Sequence, residues 1–127
     1  MTFDEFMQDR RRVDENHNTE ELATIAIESQ QTPPVPLWIV SYDTNGDEIL
    51  NAIQGYNQAK LTNSCYVIES NESFENIVLA FQEVTSEGDH ISICPFILPL
   101  RARMAMDDIA FFQDRFQVEF PESEPDL

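Results

Sequence analysis

The segment Leu37-Trp38-Ile39-Val40-Ser41-Tyr42 is a short run of strand-forming residues, and the turn residues Asp43-Thr44-Asn45-Gly46 follow it directly. Hydrophobic side chains then recur at helical spacing from Ile49 to Tyr56. A strand, a tight turn and an amphipathic helix in this order predict the first strand–helix unit of a domain that mixes α and β structure.

The segments that follow repeat this pattern with an additional strand. Residues 60–63 and 65–69 indicate two short strands around a tight turn. Residues 70–73 supply helix caps ahead of a second hydrophobic stripe, which runs from Phe74 to Phe81. Residues 90–94 alternate as a last strand, which Pro95 ends. Over residues 37–98 the predicted order is strand, helix, strand, strand, helix, strand.

That order predicts an α+β fold with a ferredoxin-like βαββαβ core. In this architecture two helices cover one face of an antiparallel sheet. We expect the core to span residues 37–100, with helical extensions at both of its ends.

The flanking segments carry helix signals of their own. Thr2 and Glu5 have the spacing of a capping box, and residues 18–21 repeat that logic, so residues 1–31 are predicted to form a helical N-terminal extension. Residues 23–27 also alternate in the manner of a strand. The prolines in residues 32–36 predict a stiff linker. Hydrophobic spacing from Met104 to Phe116 predicts a C-terminal helix within residues 101–120, followed by an acidic tail over residues 121–127.

The charge distribution is strongly one-sided. The 127 residues have a formal net charge of −17, and Lys60 is the one basic residue between Val13 and Leu100, against fourteen carboxylates. The other basic residues lie nearer the ends: Arg10, Arg11, Arg12, Arg101, Arg103 and Arg115. Such a surface repels phosphate and attracts cationic partners.

Length and composition set further bounds. The chain has the size of a single domain with one hydrophobic core. It has no apolar run near the ~20 residues that span a bilayer, and residues 1–12 lack the apolar centre of a secretory signal. We therefore expect a cytoplasmic protein without membrane contact, in which Cys65 and Cys94 are free thiols.

Three segments of the core are similar to a known family: Trp38-Ile39-Val40-Ser41-Tyr42-Asp43, Ser64-Cys65-Tyr66-Val67-Ile68 and Gly88-Asp89-His90-Ile91-Ser92-Ile93. With them, residues 37–98 resemble the small CRISPR-associated ferredoxin-like nucleases and their stand-alone, VapD-type relatives. The resemblance implies a dimer that binds nucleic acid. It also implies that the aspartate closing the first strand, here Asp43, binds Mg²⁺ in an endoribonuclease.

The charge of the core argues against that activity. Phosphate binding requires Lys or Arg side chains that replace counterions, and the core offers only Lys60. Asp43 also has a second interpretation, since aspartate often caps a following helix or turn. The sequence leaves Asp43 open between a cap and a metal ligand.

The leading interpretation is therefore a non-enzymatic acidic protein that binds a basic, nucleic-acid-handling protein partner. It would act as an inhibitor or nucleic-acid mimic, as some phage anti-defence proteins do, without a cofactor and without binding nucleic acid itself. The carboxylates predicted to bind this partner are Asp47, Glu48, Glu69, Glu72, Glu75, Glu83, Glu87 and Asp89.

Two alternatives stay open. One is the metal-dependent ribonuclease, with Asp43 as catalytic residue and ligand of Mg²⁺. The other is a homodimeric structural or regulatory subunit in which the acidity serves solubility alone.

Overall fold

The computed structural model describes residues 21–44 and 46–121, which form an α+β fold with two antiparallel sheets and three helices. The predicted α+β class is confirmed. The capping motifs before residue 21 and the tail residues 122–127 lie outside the described part of the chain. In chain order the elements are β1 (Leu22–Ile27), β2 (Leu37–Asp43), α1 (Glu48–Ile53), β3 (Asn57–Thr62), β4 (Cys65–Glu69), α2 (Phe74–Gln82), β5 (His90–Pro95), β6 (Leu100–Ala105) and α3 (Met106–Gln113).

The larger sheet has the strand order β3-β4-β2-β5 and all its neighbours are antiparallel. The predicted first strand, β2, lies inside this sheet, where Val40 is opposite Tyr66 on β4 and Ile93 on β5. Because strand side chains alternate between faces, Val40 points to one side of the sheet and Ile39 to the other. The strand predicted over residues 60–63 begins earlier, at Asn57.

The two helices α1 and α2 pack on the face to which Val40 points. The buried side chains between sheet and helices are Val40, Ile49, Ile53, Ile68, Ile77 and Phe81. The hydroxyl of Ser73 accepts a hydrogen bond from the Asn76 backbone N–H at 3.2 Å, so the predicted cap of α2 is confirmed. Ile49 and Ile53 of α1 and Ile77 and Phe81 of α2 therefore bury against the sheet, whereas Phe74, at the start of the predicted stripe, is 46% exposed.

The opposite face of the sheet is covered by the β1–β6 sheet and by α3. The buried side chains of this second layer are Ile25, Ile27, Leu37, Ala59, Val67, Met104, Ile109, Phe111, Phe112 and Phe116. After α3 the chain returns to β1, where the backbones of Ala26 and Glu119 exchange two hydrogen bonds of 2.8 and 2.9 Å. The segments outside the predicted core thus share one hydrophobic core with the central sheet.

The predicted N-terminal helix is wrong for residues 22–27, which form β1. This strand pairs with β6 in antiparallel register, from Leu22 opposite Ala105 to Ile27 opposite Leu100. The pairing satisfies the backbone hydrogen bonds that a helix would have made internally. Alternation in residues 23–27 was the correct signal, but the strand's partner lies more than seventy residues away in the chain.

The predicted C-terminal helix is shorter than expected and begins later. Residues 100–105, which include Arg101 and Arg103, belong to β6, and α3 runs only from Met106 to Gln113. In β6 the side chains of Ala102 and Met104 turn towards the core while Arg103 is exposed. This alternation has the period of a strand, and it overlaps the helical spacing that continues from Met104.

Candidate functional site

Five of the eight carboxylates predicted to bind a partner lie on the two helices or next to their ends, and Glu87 lies in the turn after α2. All six are exposed: Asp47, Glu48, Glu72, Glu75, Glu83 and Glu87. We call this surface the acidic helix layer. Residues 37–59 and 61–99 contain no Lys or Arg, so neither helix brings a positive charge to this surface. The electrostatic potential near the helices is therefore negative. The screening length at physiological salt is about 8 Å, so salt weakens mainly the contributions of more distant charges.

An exposed leucine lies within this acidic surface. The side chain of Leu79 is 56% exposed on α2, although Ile77 and Phe81 on the same helix are buried. Glu75 and Glu83 are four residues away on either side, and residues four apart are neighbours on a helix surface. An apolar centre with a charged rim is the usual composition of a protein-binding surface.

The structure gives Glu69 a role in the fold instead of a place on the acidic surface. Its carboxylate accepts a hydrogen bond of 2.7 Å from Arg115 Nε, and both side chains are largely buried, at 13% and 12% exposure. Asn57 Nδ2 donates a further hydrogen bond to Glu69 at 3.0 Å. The bond from Arg115 lowers the pKa of Glu69, against desolvation that raises it, and Asn57 adds a further lowering. Glu69 is thus engaged within the fold, and its predicted part in partner binding stays a prediction.

Asp89 is a half-buried turn residue. Its Oδ2 accepts a hydrogen bond of 2.8 Å from the Ser86 backbone N–H. Gly88, between them, has φ of +94°, a conformation that glycine adopts without a steric penalty. The carboxylate of Asp89 thus closes the turn that leads into β5, and its predicted part in partner binding stays a prediction.

Asp43 lies at the end of β2, directly opposite His90 at the start of β5. Asp43 Oδ2 and His90 Nδ1 are 3.9 Å apart, and the two side chains are 88% and 82% exposed. Helix α1 begins at Glu48 with Asp47 at its N-cap, so the interpretation of Asp43 as the cap of this helix is wrong. The carboxylate instead points to solvent beside an imidazole.

A shallow depression of about 200 Å³ adjoins this pair, and its lining includes Ser41 and Ser92. These two serines are also opposite each other in the β2–β5 register. The sequence alone does not indicate this grouping, because His90 lies 47 positions after Asp43. Its sequence context is that of an ordinary surface histidine. Only the register of β5 against β2 brings the four polar side chains together.

The described residues include no group of three or more His, Cys, Asp or Glu side chains that could hold a metal ion. Asp43 and His90 would supply two ligands of such a site. Mg²⁺ prefers six oxygen ligands, several of which are usually water or phosphate. A metal ion at Asp43 stays a prediction of the family resemblance.

Both cysteines are free in the structure. Cys65 on β4 is opposite Ser41, and Cys94 on β5 is opposite Ile39, so β2 separates the two thiols. Two strand spacings amount to roughly 9.5 Å, beyond the Cα separation of about 7 Å that a disulfide allows. Burial raises the pKa of Cys65, and the nearby Cys94 raises it further.

Comparisons with protein-family models, curated proteins and solved structures found no match for this chain. Among residues 21–44 and 46–121, no helix has the length and hydrophobicity needed to cross a membrane. A functional interpretation of the chain therefore depends on the geometry and charge of its own residues.

Proposed function

We propose that this chain is a non-enzymatic interaction protein whose acidic helix layer binds a basic, nucleic-acid-handling protein. The observation that carries the proposal is the exposed Leu79 between Glu75 and Glu83, within a segment, residues 61–99, that contains no Lys or Arg. Binding would involve no cofactor, and the negative potential would disfavour direct contact with nucleic acid.

The chemistry of such a complex is electrostatic at the rim and hydrophobic at the centre. A groove that binds nucleic acid is lined with Lys and Arg side chains that normally contact phosphates. Carboxylates at the ends and on the outer face of α1 and α2 can bind the same Lys and Arg side chains. The chain would then compete with nucleic acid for the groove. Leu79 would supply apolar contact that phosphate cannot, and such buried anchors usually carry much of the binding energy.

For the fold, we propose that residues 37–95 form a ferredoxin-like core. The support is the element order β2-α1-β3-β4-α2-β5 together with the sheet order β3-β4-β2-β5 and its antiparallel pairing. Because fold alone does not specify activity, the interaction hypothesis depends on the surface residues and not on this fold assignment.

A peptide that alternates Lys or Arg with Leu is a direct probe of the acidic helix layer. We expect it to bind the chain with an affinity that falls as salt rises from 0.05 to 0.5 M. The Glu75→Gln/Glu83→Gln variant should weaken binding by about tenfold, on the basis of about 0.7 kcal/mol per lost rim charge. Leu79→Ser should weaken it by a similar factor with little change in the salt dependence.

Glu28→Gln/Glu119→Gln is the matched control, because both residues are exposed and lie on the β1 side of the molecule. It removes the same charge and should leave the affinity within about twofold. If both double variants weakened binding equally, the net charge of the chain and not the acidic helix layer would explain the effect, and the proposal would be contradicted. Binding that is indifferent to salt, with a dimeric chain in sedimentation, would favour the structural or regulatory subunit.

The metal-dependent ribonuclease is the second candidate, and the exposed Asp43–His90 pair beside its depression favours it. Its test is cleavage of labelled RNA and DNA in Mg²⁺ or Mn²⁺ by the wild-type chain and by Asp43→Ala. Metal-dependent cleavage that is lost in the variant would replace the interaction hypothesis with the enzymatic one. Cleavage that Asp43→Ala retains would indicate a contaminant.

A further inference from the structure

A groove of about 310 Å³ runs along the seam between β3 and β6, where the two sheets approach each other. Its lining includes the cationic residues Lys60 and Arg103, together with apolar side chains such as Leu61 and Met104. Two of the four basic residues in the described part of the chain thus lie on one small surface. The acidic helix layer contributes nothing to this groove.

The two cations are notable because the chain has an excess of carboxylates with which they could pair. Arg115 is held by Glu69. Within residues 21–44 and 46–121, by contrast, neither Lys60 Nζ nor the Arg103 guanidinium forms an ion pair. Side-chain charges that no carboxylate of the described residues neutralises keep their capacity to bind an anion from solution.

One carboxylate, that of Asp108, also lines the groove. Its Oδ1 accepts a hydrogen bond of 2.9 Å from the Lys60 backbone N–H, so this carboxylate satisfies a backbone donor of β3. Among the residues that line the groove, two are cationic and one is anionic. At physiological ionic strength the screening length is about 8 Å, which limits the influence of more distant carboxylates on this local potential.

We propose that this groove binds a small organic anion that carries a carboxylate or a phosphate on an apolar body. Lys60 and Arg103 would contact the anionic group, since charge-assisted hydrogen bonds to carboxylate and phosphate are the strong ones. Leu61 and the exposed Leu22 would cover the apolar part. The combination of apolar walls with a few charged groups is the usual composition of a ligand site, and the volume suits a one- or two-ring molecule.

Titration calorimetry with 2-naphthoate, 2-naphthyl phosphate and neutral 2-naphthol tests this proposal in 0.15 M salt. The two anions should bind the full chain, and their relative affinity identifies the preferred group. The neutral compound should bind at least tenfold more weakly, because it lacks the charged contact. Amide shifts in a nitrogen-15 spectrum should locate the bound anion at residues 60–63 and 103–105.

Lys60→Gln and Arg103→Gln should each weaken binding of the anions by about tenfold. Arg101→Gln is the matched control, because Arg101 is exposed on the same strand but lies outside this groove. It should retain the affinity within about twofold. No binding of either anion at millimolar concentration, equal binding of 2-naphthol, equal weakening by Arg101→Gln, or shifts at other residues would each overturn the proposal. Retained thermal unfolding midpoints establish that the variants are folded.

Discussion

Glu69 and Arg115, which are 46 positions apart, meet at 2.7 Å in a largely buried ion pair that joins the end of β4 to the chain after α3. Arg115 also donates a hydrogen bond from Nη1 to the Phe111 carbonyl and stacks over the Phe111 ring at 3.7 Å from its centroid. The pair connects the four-stranded sheet to the layer that covers it. One of the carboxylates that looked available for a partner is therefore part of the fold.

Breaking this pair should destabilise the chain. Arg115→Met keeps much of the apolar stem but leaves the carboxylate of Glu69 largely buried without its cation. We expect the free energy of unfolding to fall by about 2 kcal/mol, the usual range for a charged hydrogen bond. Urea unfolding followed by circular dichroism measures the difference, and Arg103→Met, an exposed arginine on β6, should change it by less than about 0.5 kcal/mol.

The pair should also give stability a defined dependence on acid. Because the pKa of Glu69 is lowered in the folded chain from its ordinary value of 4.5, the unfolded chain binds the proton more readily. The stabilisation is therefore present above about pH 4.5 and is lost as the pH falls through the lowered pKa. The difference in unfolding free energy between wild type and Glu69→Gln should be constant from pH 7 to about 5.5 and shrink below 4.5. A difference that grows in acid would contradict the assignment.

The core beneath α3 should be sensitive to truncation at Phe112. This side chain is fully buried and its ring contacts those of Phe96, Phe111 and Phe116. Phe112→Ala should cost about 3 to 5 kcal/mol, as buried aromatic truncations do. Phe120→Ala, at a ring that is 45% exposed, is the control and should cost less than about 1 kcal/mol in the same urea titration.

The two helices of the acidic helix layer should respond differently to loss of their N-caps. Ser73 accepts a side-chain cap bond at the start of α2, whereas Asp47 makes none at the start of α1. Ser73→Ala should therefore reduce the free energy of unfolding by about 1 kcal/mol, and Asp47→Ala by less than about half of that. Equal losses measured by thermal unfolding would show that the cap bond in α2 contributes little.

The two thiols should differ in reactivity. Cys94 is exposed, whereas Cys65 is half-buried and has its pKa raised by burial and by Cys94. Because the thiolate is the reacting species, a disulfide reagent at pH 8 should modify Cys94 at least about tenfold faster than Cys65. Cys94→Ser should remove the fast phase of the reaction, and Cys65→Ser should leave it intact. A single phase of full amplitude in wild type would contradict this difference.

Much of the central sheet and its helix layer could be predicted because its signals are local. The run at residues 37–42, the stripe from Phe74 to Phe81 and the cap at Ser73 each depend on neighbours within a few residues. The flanks were harder, since residues 22–27 carry both strand and helix patterns. Pairing with residues 100–105 makes these residues a strand, because local propensity is weaker than such a tertiary contact.

The candidate sites show the same division. The scarcity of Lys and Arg over residues 13–100 is a property of composition, and it indicates an acidic surface whatever the fold. Strand register and packing assigned the individual charges, because they bring distant residues together. They put Glu69 beside Arg115, Asp43 beside His90, and Lys60 with Arg103 along one groove. Net charge is additive along a chain, whereas burial, pairing and proximity exist only once the layers have packed.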